Sequence, residues 1–283
     1  MKSESGTLYV VSTPIGNLED ITLRALRILK EVDFILCEDT RVTSKLLNKY
    51  EIKTKLISFH KFNESKKSEY VLDLLTEGKN LALVSDAGTP LILDPGCDLV
   101  LSARSKGIKI VAIPGPSSLT CALSLCSYKT NDFLFLGFLP EQKSNRGKII
   151  SSLKQRASLV ILFIAPHDLK KYLGEIFSVY PNLDVFYARE LTKMFEECWY
   201  GKLSELVEIV NNKTLKGEIV LGLKFGIDKG GLSQSENVDF DLVIKEMKSL
   251  INEGYSLKEA SKSFADKLGL SKKLLYDKYL KSK

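Results

Sequence analysis

Short β-rich runs alternate with amphipathic helical runs over the first half of the chain, and this alternation constrains the fold more than any other feature. The strand-like runs are "TLYVV" (Thr7 to Val11), "DFILC" (Asp33 to Cys37), "KLISF" near residue 57, "LALVSD" (Leu81 to Asp86) and "IKIVAIP" (Ile108 to Pro114). The spacing of apolar residues predicts helices over Asp20 to Lys30 and Glu64 to Thr76. Strands that alternate with helices are typical of βαβ units, so we predict an α/β fold with a mostly parallel N-terminal sheet.

The second half of the chain has a less regular pattern. Its strand-like runs are "FLFLGFLP" (Phe133 to Pro140), "SLVILFIAP" (Ser158 to Pro166), "LDVFYARE", "EECWYGK" and "GEIVLGLKF" (Gly217 to Phe225). This pattern predicts a mixed α+β second domain. We therefore expect an N-terminal α/β domain over residues 1–126, a second domain over 127–225 that closes a cleft, a linker over 226–241 and a small helical module over 242–283.

The C-terminal segment is basic and has the pattern of a helical pair. Residues 242–283 hold ten lysines and five acidic residues, and so carry +5 of the chain's net charge of +6. Ser256 and Glu259 form a capping-box pattern, and Gly269 suits a helix end. The pattern resembles a helix-turn-helix with lysines outside, which favours a polyanionic partner such as nucleic acid. An ordinary helical hairpin with a solvated lysine-rich surface remains an open alternative.

Several classes of protein are disfavoured by composition. The 283 residues contain no apolar stretch close to the ~20 residues that span a bilayer, and the N-terminus lacks the pattern of a secretory signal. The five cysteines form no C-x-x-C pair, which is typical of reduced thiols in a cytoplasmic protein. With two histidines in the chain, we expect no metal site.

Four segments rich in Gly, Pro, Ser and Thr follow strand-like runs in the first half. They are "STPIGNLED" (Ser12 to Asp20), "EDTRVTSKLL" (Glu38 to Leu47), "SDAGTP" (Ser85 to Pro90) and "PGPSSLTCAL" (Pro114 to Leu123). The carboxyl ends of parallel strands lie on one edge of a sheet, so these loops should converge on one crevice. None contains G-x-G-x-x-G or G-x-x-x-x-G-K-[ST], which disfavours a dinucleotide or P-loop site.

These segments, in this order, resemble the tetrapyrrole-methylase superfamily of S-adenosylmethionine-dependent enzymes. Within it, the chain is similar to the 16S ribosomal RNA cytidine-2′-O-methyltransferase family. The resemblance covers nearly all of residues 6–225 and is carried by "TPIGNLEDITLRAL", "CEDTRVTSKLL", "LVSDAGTPLILDPG", "IPGPSSLTCAL", "FLFLGFLP", "ARELTKMFEE" and "KGEIVLGL". It implies a two-domain fold with a small C-terminal helical module, S-adenosylmethionine as cofactor, a homodimer, and methylation of a cytidine ribose in the decoding region of 16S ribosomal RNA.

The resemblance also implies which residues hold the cofactor. Small residues such as Ala87 and Gly88 would let the ligand lie against the backbone. The implied cofactor-binding residues are Pro14, Gly16, Asp86, Ala87, Gly88, Thr89, Pro114, Gly115, Ser117, Ser118, Leu119, Phe163, Gly217 and Glu218.

A ribose hydroxyl is a poor nucleophile at neutral pH, so a base or an oriented acceptor should assist the transfer. The candidates are Asp39, Asp86 and Glu190. Candidates for contacts with substrate RNA are Arg41, His60, Arg146, Lys148, Lys272 and Lys273. Structural roles remain open for several of them: a helix N-cap within residues 38–41, an interdomain ion pair at residues 189–190, and a core or surface position for His60.

The chain departs from the family pattern in two places. "FIAPHD" (Phe163 to Asp168) stands where the family has Tyr-Glu-Ser-Pro-His-Arg, which replaces a Glu by Ile164 and an Arg by Asp168. "ILDPG" has Leu93 in place of a Ser. We expect substrate handling to differ here, or another residue to compensate. The alternative functions are a tetrapyrrole methylase of the same superfamily and a non-catalytic RNA-binding assembly factor.

Overall fold

The computed structural model describes residues 5–130, 132–213, 215–225, 240–252, 254–268 and 271–282. The chain forms two compact units, residues 1–225 and residues 226–283. Among the described residues, no helix is both long enough and apolar enough to cross a membrane.

The first sheet of the larger unit is entirely parallel, with strand order β3-β2-β4-β1-β5. Its strands are β1 (Thr7–Val11), β2 (Phe34–Cys37), β3 (Lys55–Ser58), β4 (Leu81–Leu83) and β5 (Lys109–Ile113). The helices that follow them are α1 (Leu23–Glu31), α2 (Thr40–Lys49), α3 (Glu64–Thr76), α4 (Cys97–Ser105) and α5 (Ser118–Leu125). Short 3-10 turns occur at Leu18–Asp20 and, later in the chain, at Leu153–Gln155. The parallel order brings the carboxyl ends of all five strands to one edge.

Both faces of this sheet are buried, which explains why its strands are continuously apolar. Val11, Ile35 and Ala82 pack with apolar residues of α1 and α2 on one face. Leu8 and Leu36 pack with residues of α3 and α4 on the other. The sheet is therefore the middle of three layers, and only the loops at its edges remain available for a ligand.

The second sheet is mixed, with strand order β6-β7-β10-β8-β9. Its strands are β6 (Leu134–Phe138), β7 (Leu159–Ile164), β8 (Asp184–Arg189), β9 (Glu197–Lys202) and β10 (Ile219–Lys224). β6 and β7 are parallel, and the remaining neighbours are antiparallel. Helices α6 (Lys143–Ser152), α7 (Leu169–Val179) and α8 (Leu203–Asn211) cover one face. The other face packs against α5 and Ile15, which come from the first half of the chain.

The smaller unit contains three helices among the described residues, α9 (Phe240–Asn252), α10 (Leu257–Leu268) and α11 (Lys272–Lys281). They have their own apolar core, which includes Met247, Phe264 and Leu275. The predicted capping box is present: the Ser256 backbone N–H donates to Glu259 Oε2 at 2.9 Å, and the Glu259 N–H donates to Ser256 Oγ at 3.2 Å. Gly269, the predicted helix end, lies outside the described residues.

The predicted fold class is confirmed, with its parallel first sheet, mixed second sheet and C-terminal helices. Both sheets belong to one compact unit, residues 1–225. The division of this unit into two domains between residues 126 and 127 therefore stays a prediction. The predicted linker over 226–241 lies outside the described residues except for its last two, which begin α9.

Candidate functional site

The loops after β1 and β4 are joined by a pair of backbone hydrogen bonds. The Thr13 N–H donates to the Gly88 carbonyl at 2.8 Å, and the Gly88 N–H donates to the Thr13 carbonyl at 3.0 Å. Thr13 Oγ1 also donates to the Ser85 carbonyl at 3.2 Å. Gly88 has a φ of +79°, a conformation that strains any residue with a Cβ. The two loops are thus fixed together at the carboxyl edge of the sheet.

The loop after β5 joins the same cluster. Thr89 Oγ1 donates to the Pro116 carbonyl at 3.1 Å, and it lies 3.0 Å from Ser12 Oγ. A Cβ on Gly115 would lie 2.9 Å from the Ser12 Cβ, so close contact between loops accounts for this glycine. Three of the four predicted loops therefore form one rigid platform.

A cavity of about 400 Å³, the main cleft, lies between this platform and the second sheet. From the first half of the chain it is lined by Ile15, by residues 87–89 and 92–94, and by residues 117–119 at the start of α5. From the second sheet it is lined by Phe138 and by residues 163–166 and 217–220. Its wall combines apolar side chains with bare backbone. Ser117 makes no side-chain cap to α5, so the first amide N–H groups of that helix are not occupied by a capping side chain of Ser117.

Most of the residues predicted to bind the cofactor line this cleft: Ala87, Gly88, Thr89, Ser117, Ser118, Leu119, Phe163, Gly217 and Glu218. Four others belong to the loops but are not among its lining residues: Pro14, Gly16, Pro114 and Gly115. Asp86 lines a neighbouring cavity instead. The sequence analysis did not predict Ile15, Ile92 and Phe138 as cleft residues, because apolar residues beside a strand are expected in the core.

Gly16 contacts the loop between β8 and β9. A Cβ at this position would lie 2.3 Å from Lys193 Cγ and 2.9 Å from Thr192 Oγ1. Thr192 Oγ1 also accepts a hydrogen bond from the Asn17 N–H at 3.2 Å. Gly16 therefore allows the β1 loop to pack on the second sheet.

Glu190 supports the turn at Gly217 and Glu218. Glu190 Oε1 accepts hydrogen bonds from Lys193 Nζ at 2.8 Å and from the Glu218 N–H at 2.9 Å. The bond from Lys193 lowers the pKa of Glu190. Gly217 has a φ of +91°, and a Cβ there would lie 2.3 Å from the Glu190 carboxyl carbon. The predicted proton acceptor Glu190 is thus engaged in holding the cleft wall. The alternative of an interdomain ion pair is wrong for Arg189, which pairs with Glu197 of the neighbouring strand within the second sheet.

Asp39 is the N-cap of α2. It accepts from the Arg41 N–H at 2.8 Å, and its second carboxylate oxygen lies 2.6 Å from Arg41 Nη2. Hydrogen bonds from Arg41 lower the pKa of Asp39 to about 2, so this carboxylate is a weak proton acceptor. The Arg41 side chain is 87% exposed and can still present its guanidinium to a phosphate.

A second cavity of about 670 Å³, the side pocket, adjoins the main cleft and shares Leu93 and Asp94 with it. Its lining residues are Glu38, Asp39, His60, Lys61, Phe62, Glu64, Asp86, Leu93, Asp94 and Pro95. Three predicted residues, Asp39, Asp86 and His60, meet here, and the Asp39 N–H donates to Asp86 Oδ1 at 3.0 Å. Within the described part of the chain, no group of three or more His, Cys, Asp or Glu residues could hold a metal ion.

The sequence analysis did not predict Glu38 and Asp94 as site residues, although both line this pocket. Burial, together with the nearby carboxylates of Asp94 and Asp86, raises the pKa of Glu38 to about 7. Burial also raises the pKa of Asp94. Asp94 belongs to a "DPG" turn and Glu38 to an acidic helix start, and both patterns are also common for structural reasons alone.

The predicted RNA contact at Arg146 is wrong. The side chain is 0% exposed, and its Nε and Nη2 donate to the two Glu175 carboxylate oxygens at 2.6 and 2.7 Å. Nη1 donates to the carbonyls of Pro140 and Glu141. Such a guanidinium is not available to a phosphate. Lys148 on the same helix is exposed, as is Lys273 on α11, whereas Lys272 is half-buried.

The residues that depart from the family pattern have structural roles here. Ile164 is buried in the core of the second sheet and also lines the main cleft. Asp168 is at the N-cap position of α7, beside Lys171 at 3.6 Å, where a negative charge is favourable. Leu93 has a φ of +70° and is exposed. A Cβ on Gly137 would lie 2.8 Å from Leu93 Cδ1, so Leu93 bridges the side pocket and the second sheet.

The fold and site together define a class of α/β protein whose cleft lies at the carboxyl edge of a parallel sheet and is closed by a second, mixed sheet. The chain belongs to the family of tetrapyrrole (corrin/porphyrin) methylases, whose sequence profile matches residues 7–207. The resemblance predicted from the loop motifs is thereby confirmed.

Curated relatives share much of the sequence. The chain is 41% identical over 280 residues to "Ribosomal RNA small subunit methyltransferase I" of Halalkalibacterium halodurans, which covers 98% of this chain and 96% of the relative. It is 46% identical over 218 residues to the protein of the same name from Thermotoga maritima, which covers 77% of this chain and 98% of the relative.

Solved structures share the fold at low identity. A cobalt precorrin-4 methyltransferase matches with a TM-score of 0.60 and 19% identity, over 76% of this chain and 94% of its own. A uroporphyrin-III C-methyltransferase from Thermus thermophilus, complexed with S-adenosyl homocysteine, matches with a TM-score of 0.56 and 16% identity, over 77% and 97%.

Proposed function

We propose that this protein transfers a methyl group from S-adenosylmethionine to the 2′-hydroxyl of a cytidine ribose in the decoding region of 16S ribosomal RNA. The observation that carries the proposal is the 41% identity to a ribosomal RNA small subunit methyltransferase I over 98% of the chain. The platform of three joined loops beside the main cleft supports it, because a group-transfer enzyme needs its reactants held in fixed orientation.

The main cleft fits S-adenosylmethionine, a ligand with a flat ring system and a charged amino-acid end. Gly88 and Gly217 offer bare backbone on opposite walls, and both have positive φ. Ile15, Leu119 and Phe163 provide apolar surface for a ring, and the first N–H groups of α5 suit a carboxylate. When bound, this cofactor supplies an electrophilic methyl group on a positively charged sulfur.

Of the three predicted proton acceptors, Asp86 is the one that the surroundings favour. Asp39 is ion-paired with Arg41, and Glu190 is hydrogen-bonded to Lys193 and to the Glu218 backbone. Asp86 is exposed, lies in the side pocket next to the main cleft, and accepts one hydrogen bond from the Asp39 N–H. It can accept the hydrogen bond of a ribose hydroxyl and orient it for attack.

The partners follow from the same proposal. Arg41, Lys148 and Lys273 are exposed cations that can contact phosphates. The protein acts on the small ribosomal subunit or its RNA in the cytoplasm, as a homodimer. The lysine-rich smaller unit adds further phosphate contacts.

The test is transfer of a labelled methyl group. The protein is incubated with labelled S-adenosylmethionine and small subunits from a strain that lacks this enzyme, and the modified nucleotide is mapped. We expect label on one ribose 2′-oxygen, and an Asp86→Asn variant should be slower by about 10²-fold or more. Label on a tetrapyrrole instead of RNA would support the methylase alternative, and cofactor binding without transfer would support the assembly factor.

A further inference from the structure

An exposed aromatic side chain stands at the side pocket without a packing role. Phe62 is 79% exposed, and Lys61 Nζ lies 4.9 Å from the centre of its ring. The neighbouring His60 ring contacts it edge-on at 6.1 Å between centroids. A phenyl ring in water is unfavourable, whereas stacking on a nucleic-acid base is worth about 1–3 kcal/mol.

The turn that carries Phe62 is held in place by hydrogen bonds. The His60 N–H donates to Asn63 Oδ1 at 2.8 Å, and Asn63 Nδ2 donates to the Ser58 carbonyl at 3.2 Å. Lys67 Nζ donates to the same carbonyl at 2.7 Å, and Phe59 anchors the turn in the core. The ring is therefore presented on a fixed support, which lowers the entropic cost of binding.

The charge of the side pocket determines which part of a nucleotide it can accept. Besides burial, the carboxylates of Asp94 and Asp86 raise the pKa of Glu38, and that of Asp86 raises the pKa of Asp94, so the three carboxyl groups lie close together. Such a group repels a phosphate and accepts hydrogen bonds from an exocyclic amino group. The pocket thus offers acceptors and an aromatic face to a base.

We propose that the side pocket binds the base of the target nucleotide, with the base stacked on Phe62 and its exocyclic amino group donating to Glu38 and Asp94. The inference rests on the proposed function and assigns roles in base recognition to Glu38 and Asp94. The pocket volume of about 670 Å³ is ample for a nucleobase. Because the side pocket and the main cleft share Leu93 and Asp94, a base bound in the pocket places the attached ribose next to the main cleft.

Glu38 and Asp94 together favour cytosine over uracil. The Glu38 pKa of about 7 leaves a substantial part of the carboxyl groups protonated near neutral pH. A protonated carboxyl donates to the ring N3 of cytosine and accepts from its amino group at the same time. Uracil has the acceptor O4 where cytosine has its amino group. A protonated carboxyl can pair with either base, but O4 would face the Asp94 carboxylate, which only accepts, and would leave both groups unpaired.

The test compares small subunits that carry cytidine or uridine at the mapped target position. The wild-type protein should prefer cytidine in kcat/KM by about 10-fold or more, as for a two-bond base contact. Glu38→Ala should lower kcat/KM for the cytidine substrate by about 10-fold or more, because it removes the paired hydrogen bonds to N3 and the amino group. Glu38→Gln keeps one donor and one acceptor and should retain most of the activity. Phe62→Ala should lower kcat/KM for the cytidine substrate by about 5- to 150-fold, and Phe62→Tyr should retain most of it.

The controls separate this inference from the proposed function. All four variants of Glu38 and Phe62 should bind S-adenosylmethionine as the wild type does in calorimetry. Phe177→Ala, on the outer helix α7, should leave the kinetics unchanged. If the wild type methylates the subunit and Phe62→Ala and Glu38→Ala behave like it, the inference fails while the function stands. Loss of cofactor binding in these variants would also overturn the inference, since the pocket would then belong to the cofactor site. If the wild type methylates no RNA, the function itself fails.

Discussion

Arg146 shows how a single charged residue can be structural although its residue type suggests RNA binding. Its guanidinium lies over the Tyr172 ring at 4.7 Å and donates to Glu175 and to two backbone carbonyls. The bond from Arg146 lowers the pKa of Glu175, which means that the carboxylate is stabilised in the folded protein. The residue fastens the turn before α6 to helix α7.

Arg146→Ala should lower the free energy of unfolding by about 3 kcal/mol, because it leaves the partly buried Glu175 and two carbonyls without their partner. Lys148→Ala, on the same helix but exposed, should change it by less than about 0.5 kcal/mol. Urea unfolding at neutral pH measures both. Equal midpoints for the two variants would contradict the structural role of Arg146.

Glu38 has a second consequence at the scale of one residue, in the pH dependence of stability. Its pKa is about 7 in the folded protein against the ordinary value of 4.5, so the folded state retains a proton that the unfolded state releases. Wild-type stability should therefore fall as pH rises from about 4.5 to 7. Glu38→Gln does not titrate at this position, so its stability relative to the wild type should increase as the pH rises through this window.

Solvent screening reduces this relative gain in stability, since Glu38 is partly exposed. We expect the Tm of Glu38→Gln, relative to the wild type, to be about 2 °C higher at pH 8 than at pH 5. Thermal unfolding of the wild type and of Glu38→Gln at the two pH values measures it. If the difference in Tm between Glu38→Gln and the wild type is the same at pH 5 and pH 8, the predicted effect of the Glu38 carboxyl on stability is absent.

At the scale of structural elements, the loop between β8 and β9 holds the wall of the main cleft through Lys193. Its ammonium group lies 2.8 Å from Glu190 Oε1 and 3.1 Å from Glu218 Oε2. Partial burial alone would lower the pKa of Lys193, but the hydrogen bonds that its ammonium group donates to these carboxylates raise it. Two other residues of this loop, Glu190 and Thr192, have positive φ.

Lys193→Met should weaken binding of S-adenosylmethionine by about 5- to 10-fold, because the turn at Gly217 and Glu218 loses its support, a cost near that of one hydrogen bond to a charged group. Calorimetric titration with the cofactor measures the loss. Lys202→Met removes an ion pair of similar length, with Asp184 at 2.6 Å, away from the cleft, and should leave affinity unchanged. Equal weakening in both variants would mean that the effect is a general loss of stability.

The elements themselves were largely predictable, because their signals are local. The helix over Glu64 to Thr76 has the predicted bounds, whereas α1 begins at Leu23 because Thr22 Oγ1 accepts from the Ala25 N–H and caps it there. Helix α9 was not predicted.

Contacts across the sequence were not predictable from patterns of residue type. Arg146 was assigned to RNA because its partner, Glu175, lies 29 residues away in the chain. The side pocket was missed for the same reason: Glu38, Phe62 and Asp94 follow three different strands. The cofactor loops were found because Gly, Pro and Ser at strand ends leave a local signal, although Gly16 and Gly115 owe their identity to contacts between loops.

At the scale of the whole molecule, each of the two units has its own apolar core. The relative from Thermotoga maritima, matched over 98% of its length, corresponds to 77% of this chain, about the share of the larger unit. We therefore propose that the smaller unit is an accessory to methyl transfer.

Truncation after Asp239 should weaken RNA binding and flatten its salt dependence, because each lost phosphate contact removes about 0.7–0.9 from the slope of log affinity against log salt. Affinity for S-adenosylmethionine should stay nearly intact, since the residues that line the main cleft all precede 221. RNA affinity across a salt series, for full-length and truncated protein, measures this. Parallel slopes with equal affinities would reduce the lysines to a solvated surface.

The strand order β3-β2-β4-β1-β5 has a consequence for how the chain folds during synthesis. β1 pairs only with β4 and β5 in the first sheet, and β4 begins at Leu81. At about 5–20 residues per second, the first strand waits several seconds for its neighbours. The Thr13–Gly88 link and the start of α5 are completed later still. Ligand affinity therefore arises at the end of folding, and the cofactor can stabilise finished molecules but cannot guide the early steps.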